Sequence, residues 1–289
     1  MMGSLPGATG RSVRAALTAL LVAAPLHGQG MQQASAARQL FDQTSLHATV
    51  SFAAGTVILK PAASGMLYRM TADFDPLRFV PVSKYDGAAQ SVSLGIQPTG
   101  QGGITVSSRA HLAQSATIEL SREVPLVLDL NLGAAEATAD LGGLRLKRVS
   151  MATAGSKAVV RFSQVNPGRC DSLVVNAGAA EVTLESLGNS RCQWIRLGGG
   201  AGGVNLDLSG AWAAEARVRV SVAVGRVKLT IPKDLGVELT LEQFLSSFEP
   251  KGFVRNGKVW QTPGYAQATH RIAVNLSTTV GGVNVTWVP

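Results

Sequence analysis

Two similar stretches decide the fold: Leu132-Gly-Ala-Ala-Glu-Ala-Thr-Ala-Asp140 and Ala177-Gly-Ala-Ala-Glu-Val-Thr-Leu-Glu185. They are separated by two steps of about 22 residues each, and that interval recovers further copies between and after them. A repeat of this length indicates an architecture in which each copy stacks on the next.

Four columns of mostly apolar residues share one series of steps, each of about 22 residues. In every copy, two apolar residues alternate with other residues on each side of a small-residue corner, as expected for strand, turn and strand. The corner residues are Gly133, Gly155, Gly178, Gly200 and Ala223. The columns are Leu128, Met151, Leu173, Ile195 and Val218; Leu130, Thr153, Val175, Leu197 and Val220; Ala137, Val160, Val182, Val204 and Val227; and Ala139, Phe162, Leu184, Leu206 and Leu229.

The columns predict an all-β fold, a single-stranded β-solenoid (β-helix) with coils of about 22 residues. Stacked coils ~4.8 Å apart would bury the apolar columns and hydrogen-bond in parallel to one another. Glycine at the corners supplies backbone conformations that residues with a Cβ resist. An antiparallel sandwich with regularly spaced strands is the alternative.

The predicted domain spans residues 45–289, because the spacing within a coil recurs around Gly55 and again at residues 274–285. Residues 233–270 interrupt the period. They are predicted to form an end cap over the open core, with a binding loop as the alternative. The aromatic residues of this segment are Phe244, Phe248, Phe253, Trp260 and Tyr265.

Composition excludes several classes of protein. With 289 residues, 46% hydrophobic, 15% charged and only 2 cysteines, the chain is neither disordered nor a disulfide-framed miniprotein. Beyond the N-terminus, no apolar run is long enough to span a bilayer.

Residues 1–30 are predicted to be a signal peptide, which makes the mature chain periplasmic or secreted. Arg11 and Arg14 precede an apolar core from Ala15 to Leu26. An uncleaved anchor is the alternative. Removing the segment lowers the net charge from +8 to +6, which favours anionic envelope polymers over nucleic acid as partners of an exported protein.

The two cysteines, Cys170 and Cys192, are separated by one coil step. Equivalent positions on stacked coils place their Cα atoms about 5 Å apart, within the range of a disulfide. Export supplies an oxidising compartment, so we predict a disulfide between them.

Candidates for catalysis are few, and no cofactor or metal site is predicted. His47, His111 and His270 are far apart in sequence and have no nucleophile beside them. Glu185 and Asp207 are expected to be outward neighbours one coil apart, as in enzymes that cleave acidic polysaccharides with stacked carboxylates. The next positions in their column are predicted to be Ser163 and Thr230, so no third acid joins them.

A basic surface follows the same step. Arg196 is predicted to stack with Arg219, and Trp194 with Arg217. An arginine beside an indole favours a cation–π pair, or part of a patch for an anionic glycan, while a solvated face is the alternative.

These motifs resemble the toast-rack bacterial envelope proteins, which are similar to the C-terminal domain of LiaF-type cell-wall-active-antibiotic response proteins and to adhesin domains. The resemblance covers roughly residues 45–287, and it implies a right-handed β-solenoid without known catalytic residues, sometimes linked to envelope stress. LiaF-type proteins carry N-terminal transmembrane helices, and this chain has a predicted export signal instead. The stretches that carry the resemblance are Glu123-Val-Pro-Leu-Val-Leu-Asp-Leu-Asn-Leu-Gly133, Gly188-Asn-Ser190, Gly203-Val-Asn-Leu-Asp-Leu-Ser-Gly210, Gly225-Arg-Val-Lys-Leu-Thr-Ile-Pro232 and the recurring Gly-Ala-x-x-Val-x-Leu corners.

The sequence therefore predicts an exported, non-catalytic binding module whose lateral face contacts an envelope protein or an anionic polysaccharide. A polysaccharide-acting enzyme that uses Glu185 and Asp207 is the alternative. A scaffold that self-associates end to end is a third possibility.

Overall fold

The computed structural model describes residues 30–100, 113–212, 215–248 and 251–289. The predicted signal peptide, residues 1–30, lies outside these ranges except for Gly30. Residues 31–289 form one compact unit. Within the described ranges the chain contains sixteen strands, two short 3-10 helices and no α-helix.

In chain order the strands are β1 (Gln32–Gln39), β2 (Leu46–Pro61), β3 (Met66–Phe74), β4 (Phe79–Asp86), β5 (Ser91–Pro98), β6 (Ser115–Leu120), β7 (Leu126–Asp140), β8 (Leu146–Thr153), β9 (Lys157–Arg161), β10 (Cys170–Glu185), β11 (Cys192–Asp207), β12 (Ala216–Pro232), β13 (Gly236–Phe248), β14 (Val254–Asn256), β15 (Val259–Gln261) and β16 (Arg271–Val288). The 3-10 helices are Leu187–Ser190 and Tyr265–Gln267.

The centre of the sheet is a stack of parallel strands in the order β2, β7, β8, β10, β11, β12, β16 and β13. Strand β9 continues the β8 layer between β7 and β10. The long strands change their inward phase near the middle. In β10 the buried residues before this point include Leu173 and Val175, and those after it are Ala180, Val182 and Leu184, so the two sets are an odd number of residues apart. Each long strand therefore turns a corner while its register with the next strand continues on both sides.

The register across β10, β11 and β12 matches the predicted columns. Val182 pairs with Val204, and Val204 pairs with Val227. All three side chains are buried, and full burial of such a side chain contributes ~1.5–3 kcal/mol. The column of aliphatic side chains therefore stabilises the stack.

The predicted register is wrong by two residues in the layer formed by β8 and β9. Leu128 pairs with Val149, and Ala137 pairs with Ala158. A slip of two residues keeps the same face inward, so apolar alternation does not reveal it. In this layer the four apolar columns contain Val149, Met151, Ala158 and Val160 in place of the predicted Met151, Thr153, Val160 and Phe162, respectively.

The left-handed glycines lie two residues beyond the predicted corners. Strand pairing is interrupted at Gly178, Gly200 and Ala223, where the corners were placed. The positive φ angles, however, belong to Gly202, at +135°, and Gly225, at +152°. A Cβ on Gly225 would lie 1.8 Å from the carbonyl oxygen of Gly202. The stack therefore needs glycine there both for its φ and for the close approach of two backbones.

Antiparallel strands close the N-terminal end of the stack. Strand β2 pairs with β7 on one side and with β5 and β6 on the other, always in parallel. Strands β4 and β3 then pair antiparallel with β5 and β6, and β1 pairs antiparallel with β3.

The segment 233–270 contains a further parallel layer. Strand β12 pairs with β16, and β13 pairs with the outer side of β16. Strands β15 and β14 follow as antiparallel additions.

An aromatic cluster packs against the core beside these strands. Phe248, Phe253, Trp260 and Trp287 lie with neighbouring ring centroids 5.1 to 6.2 Å apart. Tyr265 lies in the second 3-10 helix, and Phe244 is outside the residues whose side chains are described.

The predicted disulfide between Cys170 and Cys192 is confirmed. The two residues pair across β10 and β11, and their Cα atoms are 4.2 Å apart. Both are buried, so the bond joins neighbouring layers inside the core.

The first prediction concerns the glycine column. We expect Gly225→Ala to lower the free energy of unfolding by about 2–4 kcal/mol, because the methyl group would meet a backbone carbonyl and force a strained φ. The matched control is Gly198→Ala, whose Cβ would lie 3.6 Å from Asn176 Oδ1, an ordinary contact. Urea titration followed by circular dichroism measures both, and equal stabilities for the two variants would contradict the prediction.

The second prediction concerns the disulfide. Replacing Cys170 and Cys192 together by alanine should lower stability by about 3 kcal/mol, because the unfolded chain then loses a closed loop. Thermal unfolding of the double variant, compared with the oxidised and reduced native protein, measures the effect. An unchanged melting temperature in the double variant would show that the bond contributes nothing.

Candidate functional site

The candidate site is the arginine face, formed by Trp194, Arg196, Arg217 and Arg219. The four side chains belong to the first halves of β11 and β12 and point outward, because the residues between them are buried. Arg196 pairs in register with Arg219, and Trp194 with Arg217. The structure thus brings together all four residues of the predicted ligand face.

Trp194 and Arg217 form the predicted cation–π pair. The guanidinium carbon of Arg217 is 4.8 Å from the centroid of the Trp194 ring. The indole nevertheless remains 52% exposed, which is unusual for a tryptophan with a neighbour on its face. It offers a flat apolar surface to solvent beside a fixed positive charge.

Arg196 and Arg219 are adjacent like charges that form no ion pair with a described acid, although Glu242 lines a second depression together with Arg219. None of the ion pairs or side-chain hydrogen bonds between described residues involves either guanidinium. Like charges directly opposite one another on a sheet destabilise it. An anion bound between or above the two guanidinium groups would therefore lower the free energy by relieving their repulsion.

Two outward rows run across the strands through this face and contain no acid from β8 to β16. A shallow depression of about 260 Å³ lies between them, lined by the arginine face together with Ser172, Val174 and Asn275. The first row is Arg148, Ser172, Trp194, Arg217 and Ala273, and the second is Ser150, Val174, Arg196, Arg219 and Asn275.

Sequence reasoning missed two residues of these rows. A constant step of 22 residues would put Ser150 beside Ser172. Strand β8 is shifted by two residues, so the residue paired with Ser172 is Arg148. Asn275 was missed because β16 follows an interruption in the period, so its pairing with Arg219 could not be read from a constant step. Only the pairing of strands identifies either residue.

The opposite half of the same strands carries mixed charge. One outward row there reads Asp140, Arg161, Glu185, Asp207 and Thr230, so an arginine takes the place that was predicted for Ser163. Arg161 Nη2 lies 3.6 Å from Asp140 Oδ2. Charges of both signs occur in this row, in contrast to the arginine face.

Asp207, one of the two candidate catalytic acids, is held by the backbone. Its Oδ1 accepts a hydrogen bond from the Ser209 amide at 3.0 Å. Its Oδ2 accepts from the Ser186 amide at 3.1 Å and from the Ser209 hydroxyl at 2.7 Å. Such a carboxylate ends a strand and ties it to the neighbouring layer, because it supplies acceptors to backbone amides.

Glu185 stands beside Arg161 in the same row, one residue beyond the last paired position with β11. The described residues contain no group of three or more side chains arranged to hold a metal ion. Glu185 and Asp207 thus lie in neighbouring layers of one row, and both oxygens of Asp207 already accept hydrogen bonds.

The candidate histidines lie in separate parts of the chain. His47 belongs to β2, where its Nε2 atom is 2.6 Å from Asp129 Oδ2. His270 directly precedes β16. His111 is outside the described residues.

Asp140 ends β7 in the way that Asp207 ends β11. Its Oδ1 accepts from the amides of Gly142 at 3.0 Å and Ser163 at 3.2 Å. Burial raises the pKa of this carboxyl, but hydrogen bonds from Ser163 and Gly142 and the charge of Arg161 outweigh burial, so the pKa lies below its ordinary value of 3.8.

Comparison with protein families decides the identity. Residues 27–185, more than half of the chain, match the family described as the N-terminal domain of toast_rack, DUF2154. The chain belongs to the toast-rack family. Residues 184–285 of this toast-rack protein also match the C-terminal domain of the cell wall-active antibiotics response protein LiaF. The resemblance predicted from sequence is thereby confirmed. No curated protein matches the toast-rack chain.

Three solved structures are similar to this toast-rack chain at low identity. A candidate cell adhesion protein from Clostridium sporogenes ATCC 15579 is 14% identical, with a TM-score of 0.48 over 89% of this chain and 100% of that one. A candidate adhesin from Bacteroides fragilis NCTC 9343 is 9% identical, with a TM-score of 0.33 over 88% and 97%. A candidate lipid binding protein from Parabacteroides distasonis ATCC 8503 is 8% identical, with a TM-score of 0.31 over 90% and 97%.

In the described part of the toast-rack chain, no helix has the length and hydrophobicity that crossing a membrane requires.

The third prediction concerns Asp140. Since its folded-state pKa is lowered, the ionised carboxylate stabilises the fold at pH values above 3.8, and this contribution is lost as the pH falls through the folded-state pKa. We expect Asp140→Asn to lower the melting temperature by several degrees at pH 7. The difference from the native protein should shrink below pH 3.8. Melting curves between pH 7 and pH 2 test this, and a difference that grows on acidification would contradict it.

Proposed function

We propose that this toast-rack chain is an exported, non-catalytic interaction module of the bacterial cell envelope, and that its arginine face binds an anionic partner. The observation that carries the proposal is the pair Arg196 and Arg219, which are in register and form no ion pair with a described acid, beside the exposed Trp194. A positive surface of this kind attracts anionic polymers and raises their rate of association.

An extracytoplasmic location is supported by the buried disulfide, because such bonds persist in oxidising compartments. The match to a LiaF-type domain supports an assignment to the envelope. We propose that residues 1–30 direct export and that the mature chain is periplasmic or secreted.

For the architecture, we propose a right-handed single-stranded β-solenoid over residues 45–289 with coils of about 22 residues. Cys170 pairs with Cys192 at a sequence separation of 22, which supports the coil length. The pairing of Trp194 with Arg217 repeats a step of nearly the same size in the next layer. In this proposal residues 233–270 form the end cap, since β13 stacks on β16 as the last parallel layer and β15 and β14 pair beyond β13.

The alternative of a polysaccharide-acting enzyme has less support. Both oxygens of Asp207 already accept hydrogen bonds, and Glu185 neighbours the positive charge of Arg161. A general acid or nucleophile needs a carboxyl group that can reach substrate. End-to-end self-association is the third possibility.

The fourth prediction tests the arginine face with a polyanion. The native protein should be retained on a dextran sulfate column, and Arg196→Gln with Arg219→Gln should elute at clearly lower salt, because two charges that face the polymer are lost. The matched control, Arg226→Gln with Lys228→Gln, removes two charges from the other half of β12. Equal elution of the two double variants would overturn the proposed face.

The enzyme alternative has its own measurement. Incubation with polygalacturonate should release no reducing ends. If the native protein releases reducing ends and the Glu185→Gln variant does not, catalysis is established and the proposal is refuted.

A further inference from the structure

We infer that the ligand of the arginine face is a linear acidic glycan that lies across the strands, along the direction in which the layers stack. This inference rests on the proposed function and adds the chemical class and the orientation of the ligand. It depends on how charge, a flat aromatic ring and polar side chains are arranged in successive rows.

The rows define the direction. Side chains in one row repeat at the spacing of neighbouring strands, ~4.8 Å, and along the stack they change from Arg148 through Trp194 to Arg217. A polymer that follows a row meets one outward side chain of each layer. A polymer parallel to a strand would cross only Trp194 and Arg196 before it reached Gly198.

Trp194 indicates a sugar ring. Its neighbour on one side is Arg217, which lies over the ring, and on the other side it is Ser172, which is small. The guanidinium of Arg217 therefore covers part of one face of the indole, and the side chain as a whole still remains 52% exposed. A pyranose presents a face of C–H groups and a rim of polar groups, and this surface fits both.

Arg196 and Arg219 indicate an acidic substituent. Each guanidinium presents a planar fork of donors that matches a carboxylate, sulfate or phosphate. The two forks lie one strand apart, and Asn275 continues the row. Acidic groups along a polymer would relieve the repulsion between the two arginines, which the free protein bears.

A third row supplies polar groups for sugar hydroxyls. It contains Asn176, Gly198, Ser221 and Ser277, and it runs beside the arginines. Amide and hydroxyl groups both donate and accept hydrogen bonds, as sugar hydroxyls do. Gly198 has no side chain, so a flat polymer can approach the backbone there.

Other polyanions fit the face less well. Single-stranded nucleic acid is held by several stacking aromatics, and these rows contain one, Trp194. A membrane surface requires apolar side chains that insert into lipid, and between β8 and β16 the exposed side chains of the three rows are mainly arginine, serine and asparagine. A glycan requires one platform, acidic contacts and hydrogen bonds, all of which are present.

The fifth prediction separates the sugar from the charge. Full-length protein is titrated with polygalacturonate, dextran sulfate, uncharged dextran and inorganic polyphosphate, and binding is measured by calorimetry. We expect Trp194→Ala to weaken binding of the acidic glycans about tenfold, the size of one lost stacking contact, and to leave polyphosphate unchanged. Trp194→Phe should retain most of the affinity, and the exposed position of Trp194 allows both variants to fold. Polygalacturonate and dextran sulfate distinguish a carboxylate from a sulfate as the acidic group.

The outcomes are distinguishable. If Trp194→Ala has no effect, or if uncharged dextran binds as tightly as the acidic glycans, the glycan inference is overturned. If Trp194→Ala has no effect but the double variant Arg196→Gln with Arg219→Gln loses polyphosphate binding, the proposal of an anionic partner is still supported. If that double variant binds every probe as the native protein does, the proposed function itself fails.

Orientation is tested with Arg148, which shares a row with Arg217 but lies three layers away. We expect Arg148→Gln to weaken binding of polygalacturonate about twofold and to leave binding of digalacturonate unchanged, because only the long chain spans the ~14 Å between Arg148 and Arg217. The matched control is Arg226→Gln, on the other half of β12. An equal effect of Arg148→Gln on both ligands, or none on the polymer, would overturn the orientation.

Discussion

Parallel hydrogen bonding between neighbouring bent strands is the constraint on which this structure depends. Once Val182, Val204 and Val227 are in register, every other residue of those strands has a fixed neighbour in the next layer. The same register joins the two cysteines, requires a glycine where two backbones meet, and sets two arginines side by side. Each feature therefore follows from a single geometric repeat and not from a separately built site.

The repeat also explains why equal spacing in sequence does not imply equal chemistry. Asp207 and Glu185 are related by one step in the way that Arg219 and Arg196 are. Asp207 accepts hydrogen bonds from backbone amides, however, whereas Arg196 and Arg219 have no acid partner. Asp207 serves the end of a strand, where backbone amides need acceptors. The arginines lie inside the first halves of β11 and β12, where each pairs with a residue on both neighbouring strands, and their side chains are left for solvent or ligand.

The sequence was sufficient to predict the regular part of the fold. Columns of aliphatic residues with one step series identified the layers β10, β11 and β12, the disulfide and the pairing of Trp194 with Arg217. It was insufficient where the step changed. The slip of two residues in β8 keeps the same residues facing inward, so the sequence pattern did not reveal the position of Arg148. Strand β12 pairs with β16 and not with β13, the strand that follows β12 in sequence. Interactions between residues distant in sequence decide both, and no local pattern records them.

The position of β16 bears on how the sheet is completed. Strand β13 leaves the ribosome before β16, yet it stacks outside β16, so its principal neighbour does not exist until residues 271–288 have been synthesised. Until then, β12 and β13 both present unpaired backbone groups, which are templates for pairing with other molecules. The outermost layers can close only when a later segment inserts between two earlier ones, and premature termination or cleavage ahead of β16 would leave a polypeptide prone to aggregation.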